Sequence, residues 1–158
     1  MVIGIYSKDY KLGIALRKFL NVFNRRDIGV MLICQNEAYD VALVGINPPK
    51  NHLTFSSDIL IVPDCINADE LPSEISDKVI SYGLRKKNTV TASSLIGNRL
   101  VVSVQRSIPT PSGNTVEEQE IVVNMKTPDR ADDILGIISA LIVVGISSDE
   151  LSSFVFSL

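Results

Sequence analysis

The chain has 158 residues, 46% of them hydrophobic, and a formal net charge of -3. That length suits one domain able to bury about 70% of its unfolded surface without disulfide or metal staples, and the apolar content excludes a disordered chain. The acidic balance, with a pI of about 5.1, excludes nucleic acid or an anionic membrane as the main partner, because phosphate binding needs a basic footprint.

Val2-Ile3-Gly4-Ile5-Tyr6 reads as a buried strand, short and apolar between polar residues. Ser7 to Lys11 is a turn with a candidate helix cap. A helix is expected from about Tyr10 to Phe23, where Leu12, Ala15, Leu16, Phe19, Leu20 and Phe23 form one apolar stripe. Val30–Cys34, Val41–Gly45 and Ile59–Val62 are continuous apolar runs, as in a sheet covered on both faces. Pro48-Pro49 and Pro63 stop two of them. A short helix over Ala68 to Ile75 leads to a fifth strand, Lys78 to Tyr82.

The pattern changes at Gly83, where a subdomain break over 83–88 could fall within one continuous domain of 1–158. Thr89–Leu95, Arg99–Ser107 and Val116–Met125 are β-branched and alternate, which predicts an antiparallel meander with its last turn at Pro109–Asn114. A helix is expected from about Arg130 to Val144, ended by Gly145. Ser147-Ser148-Asp149-Glu150 caps a last short helix carrying Leu151, Phe154 and Val155. The fold class is therefore α/β: a Rossmann-like, mostly parallel sheet with helices on both faces, extended by the meander and the C-terminal helices. The meander's edge strands offer a surface for a homo-oligomer.

Cys34 and Cys65 are expected to be free, partly buried thiols, and with one histidine they cannot make a four-ligand zinc site. The opening strand has no basic n-region before it, so a cytoplasmic location is expected. The most apolar stretch, Ile134 to Ile146, is shorter than the roughly 20 residues that span a bilayer.

Ile80-Ser81-Tyr82-Gly83-Leu84, then Thr89-Val90-Thr91-Ala92, then Ile134 through Gly145-Ile146 and Ser148-Asp149-Glu150-Leu151 follow one another in a telling order. This stretch resembles the central domain of the Mur ligase family, in which a strand ending Tyr-Gly precedes a small antiparallel sheet and an Ala/Leu-rich helix ending Leu-Gly-Ile. Ile3-Gly4-Ile5 resembles the strand before that family's phosphate loop, and Ser57 to Val62 the strand before its Asp-His motif. The resemblance implies a nucleotide-binding scaffold. The motifs that burn ATP are missing, however. The loop Ser7-Lys8-Asp9-Tyr10-Lys11-Leu12-Gly13 has no glycine before Gly13, Asp9 would face a triphosphate, and Tyr10 is bulky where backbone must approach phosphate. Asp69 has no histidine after it.

The expectation is thus a non-catalytic module with no cofactor, binding a partner protein or a small anionic ligand. Candidate ligand-binding residues are Ser7, Lys8, Lys11, Asn47 and Asp64, at predicted strand ends and on the loop. An enzyme using this strand-end surface and an oligomerisation subunit are the alternatives. Asp64, Asp69 and Glu70 could hold magnesium, against the plainer reading of an acidic helix start. His52 sits in a polar loop with nothing to position it. Arg25-Arg26 and Arg85-Lys86-Lys87 fit solvated turns.

Overall fold

The computed structural model describes residues 1–49, 54–66, 78–126 and 130–158. The helix expected over Ala68 to Ile75, and with it His52, Asp69 and Glu70, lies outside the described residues.

The fold is mixed α/β, dominated by one nine-stranded sheet. In chain order the elements are β1 (Val2–Tyr6), α1 (Lys11–Val22), β2 (Gly29–Leu32), β3 (Ala38–Val44), β4 (Ser56–Pro63), β5 (Val79–Gly83), β6 (Val90–Ile96), β7 (Arg99–Val104), β8 (Ile108–Pro109), β9 (Thr115–Val116), β10 (Gln119–Met125), α2 (Ala131–Val143), α3 (Ser148–Ser152) and β11 (Val155–Phe156). The sheet order is β11-β10-β7-β6-β5-β4-β3-β1-β2, and β8 and β9 form a separate two-stranded ribbon. Neighbours are parallel from β2 through to β6 and again at β10–β11, and antiparallel at β6–β7 and β7–β10.

Alternation along the strands explains which face holds the core. Ile3 and Ile5 of β1, Val41 and Leu43 of β3, and Ile59 and Ile61 of β4 point to the face that receives α1 and α2. Leu100, Val102 and Val104 of β7 and Ile121, Val123 and Met125 of β10 extend this face into the antiparallel part. The sheet curls around α2, so this helix is apolar and buried all the way round rather than along one stripe. Gly145 ends it at φ +86°. The Ile146 amide donates to the Leu141 carbonyl and the Gly145 amide to the Ile142 carbonyl, the Schellman pattern expected of a glycine in that place.

Tyr6, Ala42, Val44, Leu60 and Val62 alternate to the other face. They form a smaller cluster with Ile33, Tyr39 and Phe55. The link 33–37 returns the chain from β2 to β3 across β1 on this face, with no helix. Among the described residues, both long helices lie on the opposite side. That arrangement keeps these two parallel crossovers right-handed: β1–α1–β2 steps one way on one face and β2–β3 steps back on the other.

Several expectations need correction. Phe154 and Val155 do not belong to the last helix. Its capping box, Ser147 with Glu150, is present, but α3 stops at Ser152, and Val155-Phe156 pairs parallel with β10. There Phe156 and Phe154 pack on Phe19, with ring centroids 4.9 and 5.5 Å away; burial of three aromatic rings outweighs another helical turn. The meander's edges, secondly, are partly covered: β5 pairs with β6 at Val90 and Thr91 and β11 with β10 at Asn124 and Met125, while the rest of both strands has no outer strand partner among the described residues. The edges of the large sheet are β2 and the two-residue β11. Thirdly, Cys34 and Cys65 are exposed, not partly buried, because each lies just past the strand that precedes it. The strand expected through Ser107 ends at Val104, and the chain resumes as the β8–β9 ribbon around Thr110–Asn114.

Candidate functional site

Because β1, β3, β4 and β5 are parallel, their carboxyl ends open on one edge of the sheet. The step direction reverses between β1 and β3, and in open α/β sheets such a reversal leaves a crevice beyond the strand ends. Ser7, Lys8 and Asn47 are brought together there. The Lys8 amide donates to the Asn47 carbonyl at 3.0 Å, and the Gly45 amide to the Tyr6 carbonyl at 3.0 Å. Gly45 is pressed against Ser7: a Cβ there would stand 2.6 Å from Ser7 Oγ. The two loops are thus stitched to each other across the crevice.

The start of α1 is equally occupied. The Asp9 amide donates to Ser7 Oγ at 3.2 Å, the Lys11 amide to Asp9 Oδ1 at 2.9 Å, and the Leu12 amide to the Asp9 carbonyl at 3.3 Å. Asp9 is therefore the side-chain cap of this helix. Its carboxylate stands where a phosphate would meet the helix N-terminus. The charge is held in turn by Arg130, whose guanidinium lies 3.7 Å from Asp9 Oδ2 and 2.7 Å from Asp133 Oδ2.

Lys11 is not part of this group. One step into α1, it lies beside Lys18 and Arg130 at a small cavity of about 240 Å³ near Leu158. Asp64 sits at the end of β4, two strands from Ser7. It accepts from Asn88 Nδ2 at 2.8 Å and lies 3.9 Å from Arg85 Nε. This closeness requires Gly83, at φ +149°, where a Cβ would stand 2.5 Å from the Asp64 carboxyl carbon.

Sequence reasoning did not single out Arg130, Asp132 or Asp133 and used Tyr82 only for the family resemblance; the N-terminus of α2 and the end of β5 bring all four to the same edge. Two adjacent acids opening an apolar helix are a recognisable start signal, but their distance in sequence from Asp64 hid the meeting. Tyr82 donates to the Val44 carbonyl at 2.8 Å. Burial first, then the charge of Asp133, pushes its phenol well above the ordinary range. The Asp132 carboxyl is raised as well, by burial first, then by Asp64 and Asp133. Among the described residues no three His, Cys, Asp or Glu side chains converge as metal ligands would.

The Asp132 shift has a definite sign. The folded chain holds this proton more tightly than the unfolded chain, so stability falls as pH rises from the ordinary value of 3.8 through the raised folded value. Asp132→Asn is expected to raise the thermal midpoint at neutral pH, with the gain closing well below the ordinary carboxylate value. Melting curves at both pH values check this; a pH-independent gain would remove ionisation as its cause.

No protein-family model matches the chain. No relative is found among curated proteins either. Among the described residues no helix is long and apolar enough to cross a membrane.

Proposed function

We propose that this chain is a non-catalytic, cytoplasmic binding module, a Rossmann-like scaffold related to the Mur ligase central domain that does not turn over ATP. The observation that carries the reading is the internal use of the phosphate-facing amides. Those of Lys8, Asp9, Lys11 and Leu12 are already taken by Asn47, Ser7 and Asp9. A triphosphate would have to break these bonds and displace a carboxylate held by Arg130, with no glycine loop to wrap it. The strand order β2-β1-β3-β4-β5 supports the Rossmann-like part. The antiparallel strands that follow Tyr82-Gly83 support the family likeness.

The ligand is a partner protein or a small anion, and a homo-oligomer would use the unpaired stretches of β6 and β10. Calorimetric titration with magnesium-ATP, followed by a phosphate-release assay, tests the reading. No saturable heat and no released phosphate are expected. Micromolar binding that Lys8→Ala abolishes, or any turnover, overturns it.

A further inference from the structure

Beside the strand-end crevice, on the outer flank of the sheet, α1 and β2 enclose a groove of about 750 Å³. Its floor is Ile5, Gly13 and Val30. The stripe by which α1 enters the core leaves out Tyr10, Ile14 and Val22, and these line the groove with 61%, 60% and 47% of their surface exposed. Met31 and Leu32 face it from β2, about half exposed. Large apolar side chains exposed together, and rimmed by charge, mark an interaction surface.

The groove lies along a free sheet edge. Among the described residues β2 pairs only with β1. The Gly29 amide donates to the Met1 carbonyl at 2.9 Å and the Ile33 amide to the Ile5 carbonyl at 3.0 Å. In a parallel ladder the residues between them turn their backbone groups the other way, so the amides of Val30 and Leu32 point outward. Arg17 covers part of that edge by donating to the Val30 carbonyl, and the Cys34 thiol approaches the Leu32 carbonyl at 3.7 Å.

The charge of the lining selects the occupant. Arg17 and Lys18 are its charged residues, both basic, on a chain whose net charge is -3. A second copy docked edge to edge about a two-fold axis would set these cations against themselves. We propose that the groove takes an extended segment of a partner protein whose groove-facing side chains, every second residue, are apolar and acidic in turn. The segment adds as a strand to β2, placing its groove-facing apolar side chains on Ile14 and Leu32 and its groove-facing carboxylates on Arg17 and Lys18. This deepens the binding-module reading by naming one partner class. It uses none of the strand-end residues, so the two tests fail separately.

The probe is a fluorescein-labelled octapeptide, Val-Ser-Glu-Ser-Val-Ser-Glu-Ser, which presents valine and glutamate by turns on one face, with a counterpart carrying lysine in place of glutamate. Anisotropy is expected to show saturable binding of the glutamate peptide only, weakened about tenfold or more by Ile14→Glu and by Lys18→Glu. Both positions are exposed, and Lys18→Glu carries the test alone if Ile14→Glu does not fold. Hydrogen exchange at the Val30 and Leu32 amides is expected to slow with the peptide bound. Four results overturn the proposal: no saturable binding, equal binding of the lysine peptide, binding indifferent to both variants, or self-association through the groove that the peptide does not displace.

Discussion

Gly136→Ala is expected to destabilise the fold by about 1–3 kcal/mol, although alanine is the better helix former by about 1 kcal/mol. The added Cβ would stand 2.9 Å from Tyr82 Cζ, 3.0 Å from its hydroxyl and 3.2 Å from Cε2. The ring has nowhere to go. It is fully buried and its hydroxyl is bonded to the Val44 carbonyl. Retreat would break that bond and leave a buried carbonyl short of a partner, which costs about 1–3 kcal/mol. The tie can be tested by a cycle. Tyr82→Phe alone is expected to cost a similar amount, because it removes the same bond. In the Phe background the ring is no longer tethered and can tilt away, so alanine at 136 should cost less. Urea unfolding of the two singles and the double measures the coupling. Coupling of at least about 0.5 kcal/mol is expected, and strictly additive losses would dismiss the tether.

Much of the sheet was legible in the sequence because its signals are local. The continuous apolar runs of β3 and β4 predict cover on both faces, and the alternation of Leu100, Val102 and Val104 predicts one buried face. Both hold, but Val30–Cys34, read in the same way, is an edge strand with Met31 and Leu32 exposed. The long helices were legible for the same reason, α1 from its stripe and α2 from its length and the glycine that ends it. What escaped was pairing between segments far apart. Two residues, Val155 and Phe156, carry no periodicity, so their place beside β10 follows only from where Phe19 lies. Nothing in the meander's own text shows that β5 and β11 flank it, at two residues each.

The candidate site divides along the same line. Ser7, Lys8 and Asn47 meet because each follows an apolar run and those runs became parallel neighbours. Lys11 differs from them only in lying inside the helix, which carries it toward Lys18. Asp9 was seen in the sequence as a charge hostile to phosphate. The structure gives that charge a positive role, as the cap of α1. Arg130, which holds it, sits 121 positions later, and no local pattern could join them.

Gly4→Val puts the nonlocal part of the fold at risk, and the expected sign is opposite to what β-propensity alone would say. Valine favours strands and glycine weakens them. Yet a Cβ on Gly4 would stand 2.7 Å from Ile33 Cγ1 and 2.8 Å from two atoms of the Tyr39 ring, because the link 33–37 crosses β1 directly over this residue. Neither neighbour is a loose end. Tyr39 is buried and its hydroxyl accepts from the Cys34 amide at 2.9 Å. The Ile33 amide is bonded to β1 itself. Relief would have to lift the whole crossing, so the loss is expected to be roughly 3 kcal/mol, at the upper end for an overpacked core. The neighbouring strand supplies the control. At Gly29 an added Cβ would meet nothing closer than 3.8 Å, so Gly29→Val should be neutral or mildly stabilising. Urea unfolding of the two variants separates the cases. If both lose the same amount, valine in this sheet is costly for some general reason and the crossing over β1 is not what demands glycine.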